Sequence, residues 1–397
     1  MINRALTETL QEVSRQYPVV TLTGPRQAGK TTLCRSVFSD LPYVNFERPD
    51  LRQRFGADPN AFLSGYPEGA VFDEFQRVPE VTSYLQALVD EPSFAGTFIL
   101  TGSQNLVVRD TVSQSLAGRT AVLELFALAD AELQASGIDL DTDDLLYSGG
   151  YPRIYDRGIE PTRILADYVA TYVERDLRQL SMIRDLAVFQ TFLGLCAGRT
   201  AQILNLEQLG NEAGVSQPTV REWISLLEAS YIAFRLPPYH VNIAKRLIKS
   251  PKLYFYDVGL AAYLLGIDHP SQLHNHPLRG ALFETFAVSE VVKALRNAGR
   301  RRQLHFYRDS HGNEVDLILS AGDGVTPIEI KSTRTLTPAL LTGLNRFRKA
   351  LADRVQVRAP VLVYDGSEAV SLAETDVVPR RQIAAVISGV CRTYGQN

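Results

Sequence analysis

Cysteine, long apolar runs and a large excess of either charge are all scarce or missing in this sequence. The chain has three cysteines, and Cys34, Cys196 and Cys391 lie far apart without the spacing of metal ligands. An odd number of distant cysteines is typical of reduced thiols in a cytosolic protein. No apolar run is long enough to span a membrane, and the first eight residues lack the charged-then-apolar order of a signal peptide. We therefore expect a cytoplasmic protein with no membrane partner.

The balance of charge limits the possible partners. Lysine and arginine number 41 against 44 acidic residues, which gives a net charge of -3. This value argues against a uniformly basic coat for nucleic acid but leaves local basic patches open. At 397 residues, 45% hydrophobic and 21% charged, the chain is long enough for two or three globular domains with sizeable cores.

The most informative motif is a glycine-rich loop at residues 24–31, directly after the apolar run at residues 17–22. It has the complete pattern G-x-x-x-x-G-K-[ST], in which backbone N–H groups turn inward onto phosphates, a lysine reaches the outer phosphates and a hydroxyl holds Mg²⁺. A helix-forming segment follows it, as this loop requires. We therefore predict ATP and Mg²⁺ as cofactors, with Thr31 as a metal ligand. The predicted ATP-binding residues are Gly24, Pro25, Arg26, Gln27, Ala28, Gly29, Lys30, Thr31 and Thr32.

Two further apolar segments predict the rest of this site. Residues 70–74 form a short apolar run that ends in Asp73 and Glu74, as expected for a buried parallel strand that delivers carboxylates at its C-terminal edge. We predict that Asp73 holds Mg²⁺ and that Glu74 polarises the attacking water. Residues 97–104 form a second such strand, and Ser103 is the predicted sensor of the γ-phosphate. The alternatives are a solvated strand end at Asp73 and Glu74, and a plain strand-to-loop transition at Ser103.

The remaining pattern divides the chain into four regions. Strands and helices alternate over residues 1–130, which is typical of a parallel sheet covered by helices. Helical spacing without strand signals predicts a helical lid or linker over residues 131–200. Residues 201–270 are the predicted winged helix-turn-helix, and residues 271–397 the predicted C-terminal α/β domain. The expected fold class is thus α/β multidomain.

The helix-turn-helix prediction rests on residues 206–213 as a first helix, residues 214–216 as a turn and residues 217–230 as a second helix. A hairpin with four nearby cations follows, and contact with DNA is the functional interpretation. A packing module with a solvated basic hairpin stays open with equal weight. The predicted DNA-binding residues are Lys245, Arg246, Lys249 and Lys252.

A second group of charged residues lies in the last third of the chain. Glu329 and Lys331 are two apart on a predicted strand and therefore point to one face. Asp316 lies on the preceding strand, and Glu284 lies on a helix amid apolar neighbours. Carboxylates so placed can bind Mg²⁺, with Asp316 and Glu329 as the predicted ligands, and a lysine beside the metal can orient or deprotonate water for phosphodiester hydrolysis. The alternative is a structural ion pair of Lys331 with Glu329 or Asp316.

Eight short motifs together carry a resemblance to a known family. In order they occupy residues 24–32, 72–74, 99–103, 115–119, 149–152, 280–284, 314–316 and 328–332. The first five resemble the prokaryotic AAA-type ATPases that carry a C-terminal domain of unknown function, and the last three resemble that domain, which is similar to the PD-(D/E)XK nuclease fold. The resemblance spans nearly the whole chain. It implies an AAA-type P-loop ATPase core with a helical lid, a winged helix and a nuclease-like domain in one polypeptide.

The resemblance also implies an arginine finger and an oligomer. AAA-type ATPases commonly place an arginine in a neighbouring subunit against the γ-phosphate, and Arg119 fits the motif at residues 115–119, with Arg153 and Arg175 as further candidates. A within-chain ion pair is the alternative role of Arg119. We expect a homo-oligomer, in the form of a ring, that hydrolyses ATP, remodels DNA and carries a metal-dependent nuclease-like site, with branched DNA as the substrate by analogy of fold. Two other classes stay open: an ATP-dependent regulatory switch with a catalytically inactive nuclease-like domain, and a DNA-binding regulator of a defence or toxin-antitoxin type.

Overall fold

A computed structural model describes the chain as two compact units. The described residues are 2–103, 115–173, 183, 185–240, 250–301, 303–322 and 324–393. The first unit contains Met1–Leu128 together with the short segments Ala229–Tyr231 and Arg296–Gly299. The second contains Ala129–Glu228, Ile232–Leu295 and Arg300–Asn397.

A parallel sheet forms the centre of the first unit. Its strands follow the order β2-β3-β4-β1-β5, so that β4 lies between β1 and β3. Every residue of β1, β3 and β4 is buried, which matches their short and nearly uninterrupted apolar sequences. Because parallel strands end at one edge, the loops after β1, β3 and β4 meet there. The strands are β1 (Val19–Thr23), β2 (Tyr43–Asn45), β3 (Val71–Asp73), β4 (Phe98–Thr101) and β5 (Thr120–Glu124).

Helices cover both faces of this sheet. One face packs an aromatic cluster that includes Phe46, Phe62 and Phe72, whereas the other packs Leu10 and Leu33 against the sheet. A 3₁₀ turn at Phe75–Arg77 follows β3 directly. The helices are α1 (Thr7–Ser14), α2 (Lys30–Val37), α3 (Pro49–Ala57), α4 (Pro59–Ser64) and α5 (Val81–Val89).

The second unit begins with helices and a small antiparallel sheet. The apolar side chains of Val220, Ile224 and Leu227 on α12 are buried, as their helical spacing predicts. Gly214 ends α11 with a φ of 72°, a left-handed turn that suits glycine. The helices are α6 (Asp130–Ala135), α7 (Thr142–Ser148), α8 (Pro152–Arg157), α9 (Pro161–Tyr168), α10 (Leu186–Ala197), α11 (Leu206–Ala213), α12 (Gln217–Ala229) and α13 (Val258–Leu264), with a π-helical turn at Val169–Val173. The strands β6 (Gln202–Ile203), β7 (Ala233–Leu236) and β8 (Lys252–Phe255) pair in the order β6-β8-β7.

A larger mixed sheet forms the C-terminal part of the second unit. Its strands follow the order β14-β15-β13-β11-β10-β9, and β12 also pairs with β11. The pair β10 and β11 is antiparallel, whereas β11, β13 and β15 run parallel. The strands are β9 (Leu304–Arg308), β10 (Glu314–Ala321), β11 (Gly324–Lys331), β12 (Gln356–Val357), β13 (Val361–Tyr364), β14 (Val370–Leu372) and β15 (Thr375–Pro379), and the helices are α14 (Arg279–Asn297), α15 (Thr342–Leu351) and α16 (Ile383–Thr393).

Two arginines tie the first helices of the second unit to this mixed sheet. Arg380, which follows β15 and is buried, pairs with Asp130 at 2.6 Å and donates to Thr142 Oγ1 at 2.9 Å. Arg279 pairs with Asp143 at 2.7 Å and with Asp365 at 2.8 Å. Burying a guanidinium is costly unless its donors are matched, so these contacts fix the helices in one place.

The structure bears on the expectations about the cysteines and about membrane-spanning segments. The three cysteines are buried and none forms a disulfide. Across the described ranges, no helix is both long and apolar enough to cross a bilayer.

Candidate nucleotide site and carboxylate cluster

The glycine-rich loop lies at the edge of the first sheet, between β1 and α2. Gly24 has a φ of 140°, and a Cβ there would lie 2.0 Å from the carbonyl oxygen of Leu125. Gly29 has a φ of 94° directly before α2, and Gln27 also has a positive φ of 61°. The positive φ angles therefore favour glycine at both ends of the loop, and at Gly24 the close approach to the backbone of Leu125 also requires it. Its backbone precedes the N-terminus of α2, which favours a bound anion.

Lys30 begins α2 and is buried. Its Nζ donates to the carbonyl oxygens of Gly24 at 3.0 Å and Pro25 at 2.8 Å. Burial lowers the pKa of Lys30 from 10.5 to about 8, although Glu74 and Asp73 oppose the change. The ammonium thus has backbone partners that a phosphate oxygen can replace with a stronger, charge-assisted hydrogen bond.

Asp73, the last residue of β3, collects three hydroxyl donors. Thr31 Oγ1 donates to its Oδ2 at 3.0 Å, Tyr43 donates to the same oxygen, and Thr101 donates to Oδ1. Oxygen ligands of this kind suit Mg²⁺, which is usually held by one or two protein groups together with phosphates and water. The donor set therefore fits the predicted metal, with Thr31 and Asp73 as the groups that would hold it. Sequence reasoning missed Tyr43, which belongs to no motif, and it gave no role to Thr101 although this residue lies in the motif at residues 99–103.

Glu74 follows Asp73 and turns into the same edge of the sheet. Its φ of 53° is unusual for a glutamate and begins the 3₁₀ turn after β3. Its Oε2 accepts hydrogen bonds from Gln76 and, at 3.4 Å, from Ser103 Oγ. Burial raises the pKa of Glu74, while Lys30 opposes the change. The position of β4 between β1 and β3 is what brings Ser103 to this carboxylate.

Tyr231 is a further neighbour of the glycine-rich loop that the sequence did not indicate. Its hydroxyl lies 2.8 Å from Thr23 Oγ1, one residue before Gly24, and 3.4 Å from Glu124 Oε1 at the end of β5. Its φ of 57° is rare for an aromatic residue. All these residues belong to the first unit, where Tyr231 links the ends of β1 and β5.

The predicted arginine fingers differ in their surroundings. Arg119 forms a two-pronged ion pair with Asp90 of the same chain, at 2.6 and 2.7 Å. This is the geometry of the alternative role, a within-chain ion pair. Arg153 is exposed on α8. Arg175 lies outside the described residues.

The second site, which we call the carboxylate cluster, consists of Glu284, Glu314, Asp316 and Glu329 with Lys252 and Lys331. Lys331 Nζ lies 2.6 Å from Glu329 and 3.8 Å from Asp316, so the alternation along β11 does place Glu329 and Lys331 on one face. Asp316 is buried on β10, and its Oδ2 accepts a hydrogen bond from the backbone N–H of Ile330. Glu329 Oε2 is buried and has no hydrogen-bond partner among the residues that the structure describes. The four predicted residues of this group thus lie close together.

The burial of Lys252 is inconsistent with its predicted role as a DNA contact. Its side chain is only 3% exposed and lies 2.9 Å from Glu284, 2.5 Å from Glu314 and 4.0 Å from Asp316. The prediction that Lys252 contacts DNA as a surface cation is wrong, because three carboxylates surround its ammonium within the protein. Glu314 was also missed, although its spacing of two from Asp316 along β10 could have indicated a shared face. Tyr254 completes the group by donating to Glu284 Oε1 at 2.6 Å.

Burial and mutual repulsion perturb the carboxylates of the cluster. Burial, followed by the charge of Asp316, raises the pKa of Glu284 to about 7 and that of Glu329 to about 8. Burial by itself lowers the pKa of Lys252, but the three carboxylates outweigh it and the pKa is raised. Among the described side chains, no group of three or more histidine, cysteine or acidic residues is positioned to hold a metal ion. As they stand, the carboxylates are spaced around lysine ammonium groups.

The other predicted DNA contacts find little support in the described residues. Lys245, Arg246 and Lys249 lie outside them. The exposed side chains of α11 and α12 are mostly polar or acidic, since Glu207, Glu212 and Glu222 stand against a single arginine on α12, Arg221. The sequence has a further basic stretch of three arginines at residues 300–302, in which Arg300 donates to the carbonyl oxygen of Cys391 at 2.6 Å and residue 302 lies outside the described part.

The sheet order, the loop before α2 and the pairing of Thr31 with Asp73 define a P-loop ATPase of the AAA type. In agreement, residues 16–134 match the AAA domain family. Residues 139–271 match a domain of unknown function (DUF8612), and residues 279–383 match another (DUF4143).

The chain is 34% identical over 379 residues to the uncharacterized protein Rv2008c of Mycobacterium tuberculosis, and equally to the uncharacterized protein Mb2031c of Mycobacterium bovis. Each alignment covers 94% of this chain and 82% of the relative. The chain therefore belongs to the same family as these two proteins. Among solved structures, the Walker-type ATPase paby2304 of Pyrococcus abyssi is 14% identical, with a TM-score of 0.46 over 66% of this chain and 96% of that one.

Proposed function

We propose that this chain binds MgATP at residues 24–32 and hydrolyses it with Glu74 as the residue that polarises water. The observation that carries the proposal is the meeting of Thr31, Asp73, Glu74 and Ser103 at one sheet edge. In this assignment Lys30 exchanges its two carbonyl partners for phosphate oxygens, and Ser103 orients Glu74. Magnesium, when bound beside Thr31 and Asp73, supplies neutralisation of charge on the phosphates.

We propose further that the ATPase cycle acts on DNA. The support is the helix-turn-helix formed by α11 and α12 and the basic stretch at residues 245–249 of the sequence. The test is the rate of ATP hydrolysis with no DNA and with linear, single-stranded and four-way-junction DNA. Stimulation of the parent by DNA, absent in Lys30→Ala, is the expected result. Equal rates under all four conditions would contradict this part of the proposal.

The proposal includes a homo-oligomer in which Arg119 completes the nucleotide site of a neighbouring subunit. In that case Arg119 exchanges Asp90 for phosphate when subunits assemble. Mixing Arg119→Ala with Lys30→Ala protein should restore part of the activity, because some interfaces then join an intact phosphate loop to an intact arginine. If demonstrated mixed oligomers show no recovery, Arg119 is not a finger acting between subunits.

For the C-terminal domain we propose a metal-dependent, nuclease-like role of the carboxylate cluster. Its support is the grouping of Glu284, Asp316, Glu329 and Lys331, together with the unpartnered buried oxygen of Glu329. The test is cleavage of linear and junction DNA in Mg²⁺ or Mn²⁺ by the parent, Asp316→Asn and Lys331→Ala. Cleavage by the parent alone supports the role, provided that the variants melt like the parent. An inactive parent, or cleavage that survives both substitutions, would contradict it.

A second candidate function is an ATP-dependent regulatory switch whose C-terminal domain is catalytically inactive. Two observations favour it. The described carboxylates are arranged around lysines with no group positioned for a metal, and the exposed face of α11 and α12 is not basic. Slow hydrolysis that DNA does not change, combined with a nucleotide-dependent change in oligomeric mass, would select this candidate. A footprint on one discrete sequence would instead indicate a DNA-binding regulator.

A further inference from the structure

The ammonium of Lys252 lies among three of the four carboxylates of the carboxylate cluster. It is 2.9 Å from Glu284 Oε1 and 2.5 Å from Glu314 Oε1, with Asp316 Oδ1 at 4.0 Å. The aromatic ring of Phe306 lies 5.7 Å away on another side, and rings attract cations. A charged group that is 3% exposed is tolerated only when it is compensated in this way.

A divalent cation cannot share this position with Lys252. Glu284 Oε1 already accepts hydrogen bonds from Lys252 and Tyr254, so that oxygen is engaged. A metal ion on Asp316 or Glu284 would also stand within a few ångströms of a buried positive charge, where repulsion is strong. This explains why the four carboxylates lie close together although the described residues include no arrangement that holds a metal.

We propose that Lys252 is the resident cation of the carboxylate cluster and that a divalent, oxygen-preferring cation binds there only when this ammonium is displaced. Lys252 begins β8 and directly follows the short stretch Ser250-Pro251, so its ammonium is attached to the small sheet that continues from the helix-turn-helix. Displacement of Lys252 would release Glu284 Oε1 and Asp316 Oδ1 for a metal ion, and the nearby Glu329 Oε2, which has no hydrogen-bond partner among the described residues, is a further oxygen that could bind it. The biological meaning of this inference rests on the proposed nuclease-like role, but its test reads metal binding alone.

The test is titration of the full chain with Mn²⁺, followed by electron paramagnetic resonance, without nucleotide and without DNA. All proteins carry Asp73→Asn, which removes a metal ligand from the nucleotide site. Lys252→Met is the direct variant. Because it removes a cation that Glu284, Glu314 and Asp316 share, Lys252→Met/Glu314→Gln is tested beside it, since this pair of changes leaves the net charge of the cluster unchanged.

We expect both variants to bind Mn²⁺ at least about tenfold more tightly than the parent, because both lack the ammonium that competes with a cation for Glu284 and Asp316, and Glu314 is not one of the predicted metal ligands. The matched control is Lys293→Met/Glu290→Gln, which removes another buried lysine–glutamate pair of the same unit, 2.8 Å apart. The control should bind Mn²⁺ like the parent. Unchanged or weaker binding in the folded double variant, or an equal gain in the control, would overturn the proposal.

The same proteins separate this inference from the proposed function. If the Lys252 variants bind Mn²⁺ tightly and cut no DNA, the nuclease-like role fails and the resident-cation assignment stands. If the parent cuts DNA in Mn²⁺ and Lys252→Met/Glu314→Gln shows no change in metal affinity, the nuclease-like role stands and the resident-cation assignment fails.

Discussion

The nucleotide site and the carboxylate cluster are both buried collections of charge, yet they are compensated in opposite ways. At the nucleotide site, Lys30 donates to two backbone carbonyl oxygens, and Asp73 accepts from hydroxyl groups. In the cluster, Lys252 and Lys331 pair directly with carboxylates. The first site keeps neutral partners that a charged ligand can replace, whereas the second already contains its own counterions.

The two sites therefore differ in whether a ligand must break an ion pair before it binds. A phosphate replaces a dipole at Lys30 with a full charge, so binding is favoured without breaking an ion pair. A metal ion that binds at the cluster must first break a lysine–carboxylate ion pair, and this costs free energy that the metal–carboxylate contacts have to offset. The same residue types, acids and lysines at spacing visible in the sequence, therefore give an open site in one unit and a self-compensated one in the other.

The largest expected effect breaks the compensation in the cluster. Asp316→Ala should lower the free energy of unfolding by about 3–5 kcal/mol, because it removes a buried acceptor that faces two lysines and the Ile330 N–H. Asp376→Ala on β15 is the matched control, since Asp376 is exposed on the same sheet. Urea unfolding followed by circular dichroism measures both. A loss no larger than that of the control would show that the cluster is not held together by these pairs.

A smaller effect sharpens the contrast at the nucleotide site through pH. The folded pKa of Lys30 is lowered to about 8, so between pH 8 and 10.5 the unfolded chain holds a proton that the folded chain has released. The free energy of unfolding without nucleotide should therefore rise with pH across this window, relative to Lys30→Met, by on the order of 1 kcal/mol per pH unit. Below pH 8 the difference should stay constant. Thermal melting of both proteins from pH 7 to 10.5 checks this, and a flat difference throughout would mean that Lys30 is not desolvated.

The smallest effect concerns Tyr231, which links Thr23 to Glu124 beside the glycine-rich loop. Tyr231→Phe removes a hydrogen bond worth about 1 kcal/mol and should weaken ATP binding several-fold while kcat stays near the parent value, because the loop is less firmly positioned. Tyr17→Phe, at an exposed tyrosine of the same unit, is the control. Fluorescent-nucleotide titration and steady-state kinetics separate the two parameters. A loss of kcat at unchanged affinity would assign Tyr231 a different role.

The nucleotide site was largely visible in the sequence because each of its parts directly follows, or ends, a short apolar segment. The glycine-rich loop and the pair Asp73 and Glu74 each follow an apolar strand, and parallel strands bring such positions together at one edge. Asp73 and Thr31 do lie together, and Ser103 does reach Glu74. Tyr231 was not visible, because 107 residues separate it from Glu124 and no periodic pattern reports a contact at that distance.

The carboxylate cluster was visible only in part, because some of its contacts also join residues that are far apart in the sequence. The alternation of β11 places Glu329 and Lys331 on one face, and that much follows from the sequence. Lys252 begins β8 of the small sheet, and its cationic neighbours in the sequence made it look like part of a basic surface. Burial among Glu284 and Glu314 is a property of tertiary packing, which local charge patterns do not encode.

ATP hydrolysis by this chain, as proposed, requires Glu74 to act on water at a site where Lys30 and Thr31 bind the nucleotide. Single-turnover ATP hydrolysis by the parent and by Glu74→Gln, with nucleotide affinity measured on the same samples, tests this most directly. We predict that Glu74→Gln binds MgATP as tightly as the parent and hydrolyses it at least about 100-fold more slowly. Hydrolysis by Glu74→Gln at the parent rate would contradict the account.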